Sequence, residues 1–222
     1  MLIFDKTRDA VSAVRLGLNI REHRNNRINT EYDRRIRVAF IVQDPGVWEM
    51  QRSVFQSLRD NGIFNLCTVV APPFNKDKGC IVNDYGNIEF YRRECKGVKI
   101  FRAMSKRGSV IDLKKYHFDY VFYDSSMDER LPKKLRSSII SGYAKTCFVR
   151  RNRKVDEIIP VDFLRNLYMV FSDSLKQIED VYRKMWKPCR LPHHVNLIGN
   201  TAGYDIIKYL LKDFSGGGYD CP

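Results

Sequence analysis

The chain has 222 residues, 44% of them hydrophobic and 29% charged, with a formal net charge of +13. That apolar content excludes a disordered chain, and no window reaches the roughly 18 apolar residues of a membrane-spanning helix. The basic excess points to an anionic partner, whether nucleic acid, lipid headgroups, nucleotides or phosphorylated substrates, and does not choose among them.

The first residues, Met1-Leu2-Ile3-Phe4-Asp5-Lys6, lack the basic start and long apolar stretch of a signal peptide. Residues 1–35 form a basic N-terminal segment predicted to be helical, with Val11, Val14 and Leu18 on one face. From there the pattern alternates. Ile36 to Val42 is an apolar run of strand type, stopped by Gln43-Asp44-Pro45-Gly46. A helix is predicted from Trp48 to Asp60, with Val47, Met50, Val54, Phe55 and Leu58 on its core side and Asn61-Gly62 at its end. Phe64 to Ala71 is the second strand, and residues 74–84 read as a polar loop.

Asn87 to Cys95 is predicted helical, Val98 to Phe101 is the third strand, and Ile111 to Tyr116 a helical turn or two. Asp119 to Asp124 is the fourth strand. Leu131 to Ser141 reads as a helix with Pro132 in its first turn, and Ala144 to Val149 is the fifth strand. After a charged loop, Leu167 to Phe171 is the sixth strand. Ser174 opens a helix with the spacing of a capping box. Val195 to Ile198 is the seventh strand, and Tyr204 to Leu211 the last helix. These elements predict an α/β domain over residues 36–213, Rossmann-like, with a mainly parallel sheet of about seven strands flanked by helices. Residues 214–222 read as a flexible, glycine-rich tail or the start of a linker.

In such folds ligands sit at the carboxyl ends of the strands. The segments concerned are Gln43 to Trp48, Asp124 to Met127, Arg150 to Lys154, Ser172 to Ser174 and Gly199 to Gly203. No P-loop, dinucleotide-binding or nucleophile-elbow motif occurs among them. Asp44 is a candidate base for an acceptor hydroxyl, or else the organiser of a turn. Asp124, leading into Ser125 and Ser126, either contacts substrate or caps a turn. Residues 133–154 hold eight Lys or Arg and no acid: Lys133, Lys134, Arg136, Lys145, Arg150, Arg151, Arg153 and Lys154. Such a cluster suits phosphate oxygens, or is a solvated basic loop. The helix opening near Ser172 offers main-chain N–H groups to the same anion. The six scattered cysteines and adjacent His193 and His194 give no zinc pattern, so reduced thiols, no metal and a cytoplasmic protein are expected.

Taken together, Ile36 to Leu58, Asp119 to Tyr123 with Leu131-Pro132 and Leu135-Arg136-Ser137, Val170-Phe171-Ser172, and Gly199-Asn200 to Asp205 resemble a known family. The resemblance is to the acceptor-side domain of GT-B transferases of the CDP-glycerol glycerophosphotransferase-like type, which build bacterial cell-surface polymers such as teichoic acid. It implies half of a GT-B pair, no cofactor, and a nucleotide-activated donor (CDP-glycerol or a nucleotide sugar) bound through a second domain. It also implies a surface-polymer or lipid-linked acceptor and a peripheral place at the inner membrane face. Carried onto this chain, it makes Asp44 the catalytic residue. Substrate contacts fall to Gln43, Gly46, Trp48, Asp124, Ser125, Arg150, Arg151, Arg153, Ser172 and Asn200. Asp124-Ser125-Ser126 and Phe148-Val149-Arg150-Arg151-Asn152 depart from the usual family patterns after the fourth and fifth strands. A phospho-ligand-binding module without catalysis is therefore the second expectation. A nucleic-acid-binding protein is the third, resting on charge alone with no recognisable motif.

Overall fold

The computed structural model describes residues 35–150, 159–174, 176, 195–197 and 202–215. Apolar runs become strands as predicted. In β1 (Ile36–Val42) every residue except Arg37 is buried, which requires cover on both faces. β2 (Phe64–Val70) is buried except at Asn65. After it come a short antiparallel pair, β3 (Phe74–Asn75) and β4 (Cys80–Ile81), and then β5 (Lys99–Arg102), β6 (Tyr120–Tyr123), β7 (Lys145–Arg150), β8 (Met169–Ser172) and β9 (Val195–Leu197). Seven of these form one sheet in the order β5-β2-β1-β6-β7-β8-β9, with every neighbouring pair parallel. The chain is thus an α/β protein with a Rossmann-like sheet.

Helix α1 (Trp48–Asp60) begins and ends where the sequence places it. Gly62 takes a φ of 73° just beyond it, a conformation that suits glycine. Helix α2 (Ile88–Glu94) follows the β3–β4 pair. Together with α5 (Ala202–Phe214), these helices cover one face of the sheet. There Trp48, Phe55, Tyr91, Ile206 and Leu210 pack on Phe40, Phe122 and Phe171. The Phe40 and Phe122 rings stack at 4.9 Å. The opposite face is covered by α3 (Ser137–Ile140), α4 (Val161–Arg165) and the 3-10 turns at Leu113–Tyr116 and Lys133–Leu135, through Leu113, Leu135, Ile140, Phe163 and Leu164.

The segment predicted as one helix from Leu131 to Ser141 is broken. Arg136 is extended, with φ −69° and ψ 147°, between a 3-10 turn and the four-residue α3. Arg136 donates instead to the carbonyls of Leu131 and Glu129, and the Asp128 carboxylate accepts the Ser137 amide at 2.5 Å. The polar loop of residues 74–84 contains the β3–β4 pair, and α4 was not foreseen. The predicted helix from Ser174 lies outside the described residues but for Ser174 and Lys176. Among the described residues no helix is long and apolar enough to cross a membrane. Cys67, Cys95 and Cys147 are buried free thiols, and Cys80 is exposed.

Candidate functional site at the topological switch point

The strand order reverses between β1 and β6: β2 and β5 lie to one side, β7, β8 and β9 to the other. In a doubly wound sheet the crevice beyond the strand carboxyl ends at this reversal is where ligands bind. Here it lies between the turn Gln43-Asp44-Pro45-Gly46 and the turn that Asp124 opens.

Asp44 is exposed. It caps the 3-10 turn Pro45–Val47, its Oδ1 accepting the Gly46 amide at 2.8 Å. Its Oδ2 takes no hydrogen bond among the described residues. A side chain at Gly46 would place its Cβ 3.2 Å from Asp44 Oδ1, so the absence of one leaves that carboxylate approachable.

Asp124 is the opposite case, only 4% exposed. Its Oδ2 reaches across the crevice and accepts the main-chain amides of Gln43 at 2.6 Å and Asp44 at 3.3 Å. Burial pushes this carboxyl up to about 7; the Gln43 and Asp44 amides hold it down, and the charge of Asp44 raises it further. Asp124 therefore clamps the turn that carries Asp44. Gln43 ties in the same turn from the other side. Its Nε2 donates to the carbonyls of Pro72 at 2.7 Å and Arg130 at 3.3 Å, and its own carbonyl accepts Asn87 Nδ2 at 2.7 Å.

Below this turn lie polar groups that the sequence reading passed over. Gln51 donates from Nε2 to the Tyr123 carbonyl at 3.0 Å. Its Oε1, the Asn87 Oδ1 and the Tyr91 hydroxyl are buried with no hydrogen-bond partner among the described residues. Burial raises the Tyr91 phenol far above its ordinary range, with the charges of Asp124 and Asp44 adding to the effect. One signal was available: Gln51 falls on the apolar stripe of α1 beside Val54, Phe55 and Leu58, where a polar residue needs a reason.

Trp48, expected to line the cleft, is a core residue, 1% exposed. Its ring meets Phe55 and Tyr91 edge-on at 5.3 and 5.6 Å, and its Nε1 donates to Glu94 at 3.2 Å. The large apolar ring at the first turn of α1 gains more from burial than from exposure at the crevice. Ser125 Oγ accepts the Met127 amide, and the buried Ser172 hydroxyl is engaged with Ser174. Both serines organise turns at the strand ends. Gly46 lies in the site turn, and Arg150 ends β7, half-buried. Arg151, Arg153 and Asn200 lie outside the described residues.

Among the described residues, the basic side chains from Lys133 to Arg150 do not form one surface. Lys133 and Lys134 are exposed on a 3-10 turn, Arg136 is spent on local carbonyls, and Arg150 stands at the carboxyl edge. Lys145 lies buried at the amino end of β7, paired with Asp213 at 2.6 Å. Among the described residues no group of three or more His, Cys, Asp or Glu is placed to hold a metal.

Fold and site define a doubly wound, Rossmann-like domain with one exposed and one buried carboxylate at its switch point. The chain matches no protein-family model and no curated protein.

Proposed function

We propose that the chain is the acceptor-side domain of a GT-B transferase that passes a glycerophosphate or glycosyl group from a nucleotide donor to a surface-polymer or lipid-linked acceptor. The observation that carries this reading is Asp44, an exposed carboxylate with one oxygen free, held at the switch point by the Asp124 clamp. In transfer from CDP-glycerol, Asp44 takes the proton of the acceptor hydroxyl. The hydroxyl oxygen then attacks the phosphorus of the glycerophosphate, a new P–O bond forms, and the P–O bond to the cytidylate breaks. Cytidine monophosphate leaves with the electron pair. Arg150 offers its charge to the donor phosphates from the next strand. A net charge of +13 suits a peripheral place on an anionic inner membrane face. On this reading the nucleotide donor is held by a second domain, and transfer needs both domains.

A second reading, a phospho-ligand-binding module without turnover, is favoured by two observations: Trp48 is withdrawn into the core, and Asp124 is spent as a clamp. A glycerol phosphate oligomer titrated into the chain, followed by amide NMR, tests both readings. Shifts at the Gln43 and Gly46 amides are expected. Their absence at millimolar oligomer would exclude the switch point as a binding site under either reading. Release of cytidine monophosphate from CDP-glycerol by the chain mixed with a donor-binding domain, lost in Asp44→Asn, selects the first reading. Binding without release under every donor selects the second.

A further inference from the structure

A second recess lies at the other end of the sheet. Arg37, Asn65, Cys67, Lys99 and Phe101 all project from the face opposite α1, near the amino ends of β1, β2 and β5. The register sets Arg37 beside Asn65 and Cys67 beside Lys99. Outside the sheet the corner is bounded by the end of the 3-10 turn Leu113–Tyr116 and the residues just after it. Tyr116 and Phe118, which bracket His117, form its wall. The residues line a recess of about 180 Å³ that is open on one side to solvent. A dry cavity of roughly 150 Å³ is enough to take up benzene, so the space suits a single aromatic ring.

The lining supplies ring contacts and positive charge together. Phe101 and Tyr116 lie with centroids 4.8 Å apart, and Tyr116 stacks on Phe118 at 5.9 Å. Lys99 Nζ sits 4.8 Å from the Phe101 centroid. Arg37 Nη1 donates to the Tyr116 carbonyl at 3.2 Å, which holds its guanidinium beside the same aromatic pair. No carboxylate pairs with Lys99 among the described residues. His117, with a φ of 50°, turns the chain between the two wall aromatics, and Lys114 and Lys115 stand exposed on the turn before it. Cys67, the floor, is 5% exposed. Burial pushes its thiol up to about 12, with Lys99 opposing, so the floor behaves as an inert apolar surface.

We propose that this hollow binds a small anion built on a single aromatic ring, with the ring against Phe101, Tyr116 and Phe118 and the anionic group held by Lys99 and Arg37. The site is independent of the switch point and of the function proposed for it. Lys99 over the Phe101 ring and Arg37 held at the Tyr116 carbonyl, in a recess of this size, select against ligands that offer only one of the two features.

Calorimetric titration of the full chain with phenyl phosphate tests the proposal, with inorganic phosphate and benzyl alcohol as the single-feature controls. Phenyl phosphate is expected to bind at least tenfold more tightly than either. Lys99→Gln, at an exposed position, weakens it about tenfold, and Phe101→Leu does the same while inorganic phosphate binding is unchanged. Phenyl phosphate binding no tighter than inorganic phosphate overturns the proposal. So does binding that survives Lys99→Gln and Phe101→Leu but is lost in Arg150→Gln, which would place the anion at the strand carboxyl ends.

Discussion

Replacing Asp124 by alanine removes the acceptor of two main-chain amides at once. Unmet donors of this kind, part-buried here, cost on the order of 1 kcal/mol each, so Asp124→Ala lowers the unfolding free energy, read as a fall in the urea midpoint, and loosens the turn that carries Asp44. Asp124→Asn keeps an oxygen in place and costs less. Both variants also remove a pH dependence. Folded Asp124 keeps its proton up to about 7, whereas the unfolded chain releases it near the ordinary aspartate value of 3.8. Between those values the folded state binds the extra proton, so the contribution of Asp124 to stability falls as pH rises through the window and is level above it. Asp124→Asn abolishes that slope, as unfolding curves at pH 5 and pH 8 would reveal. An Asp124→Asn chain that keeps the full slope would assign it elsewhere. The sequence pointed to this residue by its place at a strand end and left two roles open. The choice between them depends on Gln43 and Asp44, some eighty residues away in the chain.

The elements were most legible where local chemistry and tertiary packing agree. β1, β2 and β6 are short apolar runs bounded by turn residues, and α1 carries an apolar stripe ended by Asn61-Gly62. Legibility failed where a distant partner decides. Lys145 reads as one of eight clustered cations, yet its partner Asp213 lies 68 positions on. Gly203 likewise reads as part of a strand-end loop. In the fold it belongs to α5 at the crossing with α1, where an added Cβ would lie 1.9 Å from Ser57 Oγ, 2.5 Å from Ser57 Cβ and 3.0 Å from the Ser53 carbonyl. Alanine is favoured over glycine inside a helix by about 1 kcal/mol, but overpacking a close helix contact costs about 1–3 kcal/mol. The clash is with a side chain and with main chain, so it wins. Gly203→Ala is expected to lower the melting temperature, and Ser57→Gly in the same chain to recover part of the loss. A Gly203→Ala chain as stable as the parent would mean that α5 does not pack on α1 this closely.

At the scale of the whole molecule the two ends of the sheet do different work. The carboxyl ends hold the candidate site, with Asp44 open to solvent. The amino ends of β6 and β7 hold a buried polar knot that fastens α5 to the middle of the sheet. Lys145 and Asp213, with side chains 7% and 8% exposed, form its ion pair. The hydroxyls of Tyr120 and Tyr168 both donate to the Asp213 carboxylate, and the Lys145 ammonium lies 4.8 Å from the Tyr168 ring centroid. Burial alone would raise the Asp213 carboxyl, but the Lys145 charge and the hydrogen bonds from Lys145, Tyr120 and Tyr168 outweigh it and hold the group below its ordinary value. Its contribution to stability is therefore present above the unfolded pKa and is lost as pH falls through the folded one, opposite in sign to that of Asp124.

Removing one partner leaves the other charge buried, which costs about 3–5 kcal/mol, whereas replacing both by apolar groups of similar size is often close to neutral. Lys145→Met should therefore destabilise strongly, while Lys145→Met with Asp213→Leu should recover much of the loss. The recovery stays incomplete because the Tyr120 and Tyr168 hydroxyls lose the Asp213 carboxylate as acceptor, although Tyr120 keeps the Leu210 carbonyl at 3.3 Å. Both variants should leave the Gln43 and Gly46 amide shifts on ligand addition unchanged at temperatures where they remain folded, since the knot and the switch point sit at opposite ends of the same strands. A double variant no more stable than Lys145→Met alone would show that the ion pair itself, rather than the unmet charge, holds α5 in place.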